Sequence, residues 1–213
     1  MSPDAVETVF DCGYAPSAHK GRITKCSGAR VVEEINQQPA AEVYDQWTGG
    51  AISEALMSGS GGKIAGEAAL NPLARRVDID RYELLLPDSI TDTSGLAMFA
   101  NVEVGETLVL MAGTKDSLID NIGRVRKSLV ANAPFSEENI SAGLLVYGSG
   151  IALGDQKSQV ATKFSACLGG KPFIGIQSFG EQVCWTTIVG DILTVGWTRW
   201  SDEVLVRADQ SYK

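Results

Sequence analysis

The chain has 213 residues, of which 44% are hydrophobic and 21% charged, enough to bury one sizeable core or two small ones. Its formal net charge of -8 argues against nucleic acid, whose phosphates require a basic face, and disfavours an anionic membrane surface. The 23 glycines fall in clusters that mark turns rather than low-complexity disorder.

From Thr8 to Ile35 the pattern is extended, broken at Gly13-Tyr14-Ala15-Pro16 and Ser27-Gly28. A helix is predicted next: Pro39 suits the first helical position, Ala40, Val43, Tyr44 and Trp47 form one apolar stripe, and Gly49-Gly50 stops it. Glu42 and Asp45 give that helix an acidic outer face. A short helix over Ile52 to Met57 precedes Ser58-Gly59-Ser60-Gly61-Gly62, read as a mobile loop or, more sharply, a lid over a pocket. Tyr82 to Leu86 and Leu96 to Val102 are predicted strands, separated by turns at Pro87-Asp88 and Asp92-Thr93-Ser94-Gly95. The strand Thr107 to Met111 leads into a long helix whose face is Leu118, Ile119, Ile122, Val125 and Leu129.

The last third is more regular. Ala142 to Tyr147 is an apolar strand, Gly148-Ser149-Gly150 a turn, and Val160, Phe164 and Cys167 or Leu168 one face of a helix stopped by Gly169-Gly170. Phe173 to Phe179 reads as a buried strand, Cys184 to Val189 with Ile192 to Trp197 as a hairpin, and Val204-Leu205-Val206 as an edge strand. Strand-helix-strand over 142 to 179 suits a crossover unit, whereas the hairpins demand antiparallel pairing. The fold class is α+β: a mixed, largely antiparallel sheet packed by about three main helices.

Chemistry-bearing residues are sparse. Cys12, Cys26, Cys167 and Cys184 form no Cys-x-x-Cys pair, and His19 is the single histidine, so no zinc-ligand spacing exists. The thiols read as reduced and mostly buried, with Cys12 and Cys26 the candidates for a reactive one because their surroundings are turn-rich. Any Ser-His-Asp or Cys-His catalysis would have to use His19, which sits in a polar loop. Gly148 to Asp155 has neither the Gly-Lys-Ser/Thr of a phosphate loop nor dinucleotide spacing, and reads as a tight turn or a pocket wall with Tyr147 and Ser149. Trp47, Trp185, Trp197 and Trp200 are core or pocket aromatics. No apolar stretch spans a bilayer, and the start Met-Ser-Pro-Asp-Ala-Val-Glu lacks a secretory pattern, so a cytoplasmic location is expected.

The most informative stretch is Lys171-Pro172-Phe173-Ile174-Gly175-Ile176-Gln177-Ser178-Phe179-Gly180-Glu181, an apolar run that ends by handing over to a carboxylate. Gly175 and Gly180 answer backbone needs: close approach of a neighbouring strand, and positive φ at a turn. Glu181 either accepts hydrogen bonds from a ligand or caps backbone amides of its own turn.

This stretch resembles the segment that closes a FIST C-terminal domain. Gln38-Pro39-Ala40-Ala41-Glu42-Val43-Tyr44 looks like the helix that opens it, and Asn71-Pro72-Leu73 with Arg81 and Tyr82 resembles its next block. Val104-Gly105-Glu106-Thr107 with Leu110-Met111-Ala112-Gly113 resembles its strand before the long helix. Members of that family are sensory modules of bacterial signalling proteins and of some F-box proteins. The resemblance implies a non-enzymatic domain that binds a small molecule, an amino acid or related metabolite, through Glu181, Gly180, Tyr147, Ser149 and Gly148. It implies a signalling partner or an N-terminal FIST domain as protein partner, assigns no definite cofactor, and places residues 1–37 as the tail and junction of that N-terminal domain with 38–213 as the C-terminal one. Two family elements are missing: Gly148-Ser149-Gly150-Ile151 stands where many members have Cys-x-Gly-Arg, and Val189-Gly190 where many have His-Asn. A protein-interaction module without a small ligand is therefore the alternative. A haem-based nitric-oxide sensor, as in one branch of the family, would need His19. An enzyme using Cys12 or Cys26 is the remaining reading.

Overall fold

The computed structural model describes residues 6–11, 13–59, 61–79, 81–133, 135–148, 157–178, 182–189, 192–199 and 202–208. In chain order the first strands are β1 (Val6–Asp11), β2 (Ala15–Ser27), β3 (Val31–Ile35), β4 (Gln38–Pro39) and β5 (Gly62–Lys63). Then come β6 (Leu73–Asp78), β7 (Arg81–Leu85), β8 (Pro87–Ile90), β9 (Leu96–Met98) and β10 (Thr107–Ala112). The last are β11 (Ile140–Gly148), β12 (Phe173–Ser178), β13 (Gln182–Val189), β14 (Ile192–Arg199) and β15 (Asp202–Ala208). The helices are α1 (Ala40–Thr48), α2 (Ser53–Met57), α3 (Ala65–Ala68), α4 (Lys115–Asn132) and α5 (Lys157–Cys167). The chain divides into two compact units, Tyr14–Gly113 and the combination of Met1–Gly13 with Thr114–Lys213.

The Tyr14–Gly113 unit is a nine-stranded antiparallel sheet in the order β5-β8-β9-β3-β2-β10-β6-β7, with β4 paired to β3. Its core contains Ile23, Ile35, Tyr44, Leu73, Leu85 and Leu108, none with any exposed surface. β2 can cross this core only because residue 21 is glycine: a Cβ there would come within 2.5 Å of Ile35 Cγ2. β3 turns into β4 through Asn36 and Gln37, both at positive φ (53° and 65°), the left-handed pair that a two-residue hairpin needs. Asn36 Oδ1 accepts the Arg22 amide at 2.8 Å and stabilises that turn.

The apolar stripe of α1 is buried at Ala40, Ala41, Val43 and Tyr44, and Tyr44 donates its hydroxyl to the Asn71 carbonyl at 2.8 Å. Pro39 stands at the N-cap, one position before the expected one, and Gly49 ends the helix at φ 70°. Asp45, expected on the solvent face, instead accepts from the Ile52 amide (2.9 Å) and the Ser53 hydroxyl (2.6 Å), tying α1 to the start of α2.

The second unit holds a four-stranded sheet in the order β1-β15-β11-β12 and a separate hairpin, β13-β14. β11 and β12 are parallel and joined by a connection containing α5; the other two pairings are antiparallel. The mixed, largely antiparallel α+β architecture expected from the sequence is thus the one observed. α4 starts at Thr114, whose hydroxyl accepts the Ser117 amide while Ser117 reaches back to the Thr114 amide. It packs on β1 and α5, burying Leu118, Ile119, Ile122, Val125 and Leu129 as the spacing predicts. α5 buries Val160 and Phe164, with Leu168 just beyond its end. Phe164 meets Phe173 edge-on at 4.9 Å between ring centroids.

Five sequence expectations need correction. Pro87-Asp88 is the start of β8 rather than a turn, because proline's missing N–H is tolerated at the first position of a strand. β6 is an additional strand, disguised by Arg75 and Arg76. Gly62, expected at the end of a loop, pairs with Ile90 in β5. β15 is interior, with β1 on one side and β11 on the other, because β1 from the chain's start supplies the next strand. β12, expected to be buried, is an edge strand, with Ile174 66% and Ile176 47% exposed.

Candidate functional site

Of the residues singled out from the sequence, Tyr147 and Gly148 lie at the carboxyl end of β11, which runs parallel to β12. Register pairs Tyr147 with Gln177 and Gly148 with Ser178, so the two strands end side by side. In open α/β sheets ligands bind outside the carboxyl ends of parallel strands, at points where the connections leave in opposite directions. Tyr147 is half-buried there. Gly148 closes β11; Ser149, Gly180 and Glu181 lie outside the described residues. Gly175 needs a different account from the expected one. A Cβ there would meet nothing closer than 3.9 Å, from Phe173 and Tyr147, so close approach does not demand glycine at this position.

The other reactive groups are dispersed. His19 is exposed on β2 and stacks on Trp47, ring centroids 6.1 Å apart and planes 20° from parallel. A haem axial ligand needs a deep apolar pocket around the imidazole, and an exposed ring stacked on indole does not fit that requirement. Cys26 and Cys167 are free and half-buried rather than fully buried. Burial, then the carboxylates of Glu106 and Glu33, pushes the Cys26 thiol upward, away from the reactive thiolate. Cys12 lies outside the described residues. Among the described residues no three His, Cys, Asp or Glu side chains gather as metal ligands, and no helix is long and apolar enough to cross a membrane.

Sequence reasoning missed a cation-lined cleft of about 630 Å³ in the Tyr14–Gly113 unit, whose walls include Lys20, Arg75, Arg76, Tyr82, Glu106 and Thr107. Strand register explains most of this grouping. β10 sets Val109 against Lys20 of β2 and Thr107 against Arg22, while Arg76 of β6 faces Tyr82 of β7. Arg75 is held by two carboxylates, Nε donating to Glu83 at 2.8 Å and Nη1 to Glu106 at 2.7 Å, with a further bond from Nη1 to the Asn101 carbonyl at 3.2 Å. Glu83 is buried, and its hydrogen bond is the first cause that pushes the Arg75 guanidinium further up. The only local signal in the sequence was the adjacent pair Arg75-Arg76 in an acidic chain.

Comparison with known proteins agrees with the order of motifs in the chain. The FIST C domain family model matches residues 40–184, from the first residue of α1 into β13. No curated protein and no solved structure matches the chain. The family is associated with sensing in signal transduction, and with its model covering more than half of the sequence, this chain belongs to the FIST C domain family.

Proposed function

We propose that this chain is a non-enzymatic sensory domain that binds a small molecule, an amino acid or related metabolite, at the carboxyl ends of β11 and β12. The observation that carries the reading is the parallel register that ends Tyr147 beside Gln177 and Gly148 beside Ser178. Residues 149 and 179–181 follow directly in the chain, so Ser149, Gly180 and Glu181 are the assigned partners of Tyr147 and Gly148. Chemically, the Tyr147 and Ser149 hydroxyls and main-chain amides would serve a ligand carboxylate, and the Glu181 carboxylate a ligand ammonium. Binding would favour one conformation of the domain over another and pass that bias to a signalling partner. The raised thiol of Cys26 and the exposed, stacked His19 support a role without a catalytic step.

A thermal-shift screen of the purified chain against amino acids and small metabolites tests this reading. Ligand at about 100 times its dissociation constant adds about 2.7 kcal/mol, which raises the midpoint of a domain this size by about 5–10 °C. A shift of that order, lost in Glu181→Gln and reduced in Tyr147→Phe, is the expected result. A folded chain that no compound shifts, or a shift indifferent to both substitutions, would remove the assignment. The second reading, a protein-interaction module without a small ligand, is favoured by the exposed Ile174 and Ile176 on edge strand β12. That reading predicts capture of a signalling partner that is lost in Ile174→Lys.

A further inference from the structure

We infer that the cleft over β2, β6, β7 and β10 is an anion site that takes the phosphate group of a small molecule, separate from the strand ends of β11 and β12. Three side chains of its lining are cations, Lys20, Arg75 and Arg76, against the carboxylate of Glu106 in the lining and that of Glu83, which pairs with Arg75. The whole chain carries a net charge of -8, so the small excess of cations left here by Lys20 and Arg76, once Arg75 is matched by Glu83 and Glu106, runs against the molecule's average. Its volume of about 630 Å³ falls in the range of small-molecule pockets.

The way the cations are held selects the ligand. Arg75 is fixed before any ligand arrives, because Glu83 and Glu106 occupy its Nε and Nη1. Its Nη2 amine donates to no acceptor among the described residues, which leaves one corner of a pre-oriented guanidinium available. Lys20, exposed on β2, makes no ion pair among the described residues and supplies a second point donor from a different strand. Arg76 spends Nη2 on the Ile79 carbonyl, which limits the fork it can offer. A planar carboxylate is recognised best by an intact bidentate fork. Single donors arriving from separate strands instead suit a tetrahedral oxyanion, whose oxygens point in several directions. Tyr82 and Thr107 add hydroxyls to the same wall.

Titration calorimetry of pyrophosphate into the full chain tests the inference, with succinate as the competing dianion, each of whose carboxylate groups is planar. Pyrophosphate is expected to bind at one site, more weakly as salt is raised, and at least about tenfold tighter than succinate. Lys20→Glu, an exposed position, should weaken pyrophosphate by about tenfold to a hundredfold, the size of one charge-assisted hydrogen bond. Lys115→Glu makes the same charge change on α4 and should leave the affinity unaltered, while Lys20→Arg should restore most of it. Circular dichroism confirms that each variant is folded. Absence of pyrophosphate binding in the folded wild type overturns the site. Equal losses in Lys20→Glu and Lys115→Glu would reduce it to diffuse charge and overturn it too, and succinate binding as tightly as pyrophosphate would overturn the phosphate assignment.

Discussion

The nine-stranded sheet around Tyr44 and the four-stranded sheet around Phe164 bury their apolar residues by different means, and their edges differ accordingly. The larger sheet ends in β5, two residues long, and in β7, which carries Arg81 and Glu83. Shortness and charge are the ordinary protections of a sheet edge. The smaller sheet ends in β1 and in β12, each six residues long, and on β12 Ile174 and Ile176 remain 66% and 47% exposed. An antiparallel meander can blunt its own edges with turns. A parallel pair made by a crossover leaves an open edge and two aligned strand ends. Surfaces for a partner and a ligand are therefore sought first in the smaller sheet, whereas the cation-lined cleft of the larger one is built from side chains alone.

The largest expected effect separates the two cores. Tyr44→Ala and Phe164→Ala should each cost about 3–5 kcal/mol, because both side chains are essentially without exposed surface. Urea unfolding followed by near-ultraviolet circular dichroism should show different transitions weakened in the two variants if the units unfold separately. A single shared transition lowered equally by both would abolish the distinction.

Alkaline pH should press on the larger sheet in particular. Burial, aided by Glu67, raises the Tyr44 hydroxyl well above its ordinary 10.0. The unfolded chain then loses this proton first, so the Tyr44 contribution is present in full below about pH 10 and declines as pH rises toward the folded value. The slope is about 1.4 kcal/mol per pH unit. Denaturation midpoints between pH 9 and 11.5, compared with Tyr44→Phe, measure it (on the order of these values); a variant with the wild-type slope would show that another group is responsible.

A smaller effect belongs to the other unit. Thr114→Ala removes the side-chain cap of α4 and should cost about 1 kcal/mol, while Thr114→Ser, which keeps the hydroxyl, should cost much less. Equal losses from both would mean that the cap is not what Thr114 contributes. The smallest change sharpens the contrast between edges. Ile174→Thr should alter stability by less than about 0.5 kcal/mol yet weaken retention on a hydrophobic-interaction column. A loss of several kcal/mol would show instead that the β12 face is covered in solution.

Local chemistry was written plainly in the chain. Helix α1 was legible from the spacing of Ala40, Val43 and Tyr44 and its stop at Gly49, and α4 from its single apolar face. The crossover of β11, α5 and β12 followed from strand-helix-strand order. β6 was not legible, since Arg75 and Arg76 break the apolar alternation, and Arg75 is accommodated by Glu83 and Glu106, 8 and 31 positions further on. The exposure of β12 was hidden for a related reason: an apolar strand has the same composition whether it is interior or at an edge, and only its neighbours decide which.

By itself the sequence determined the helices other than α3, most strands, the α+β class and the family, because periodicity, caps and glycine stops act over a few residues. Tertiary structure decided that β15 lies inside its sheet, that β12 lies at an edge, and that Lys20, Arg75, Arg76 and Tyr82 share one cleft. Those outcomes depend on strand order and register, which are set by pairings between residues far apart along the chain.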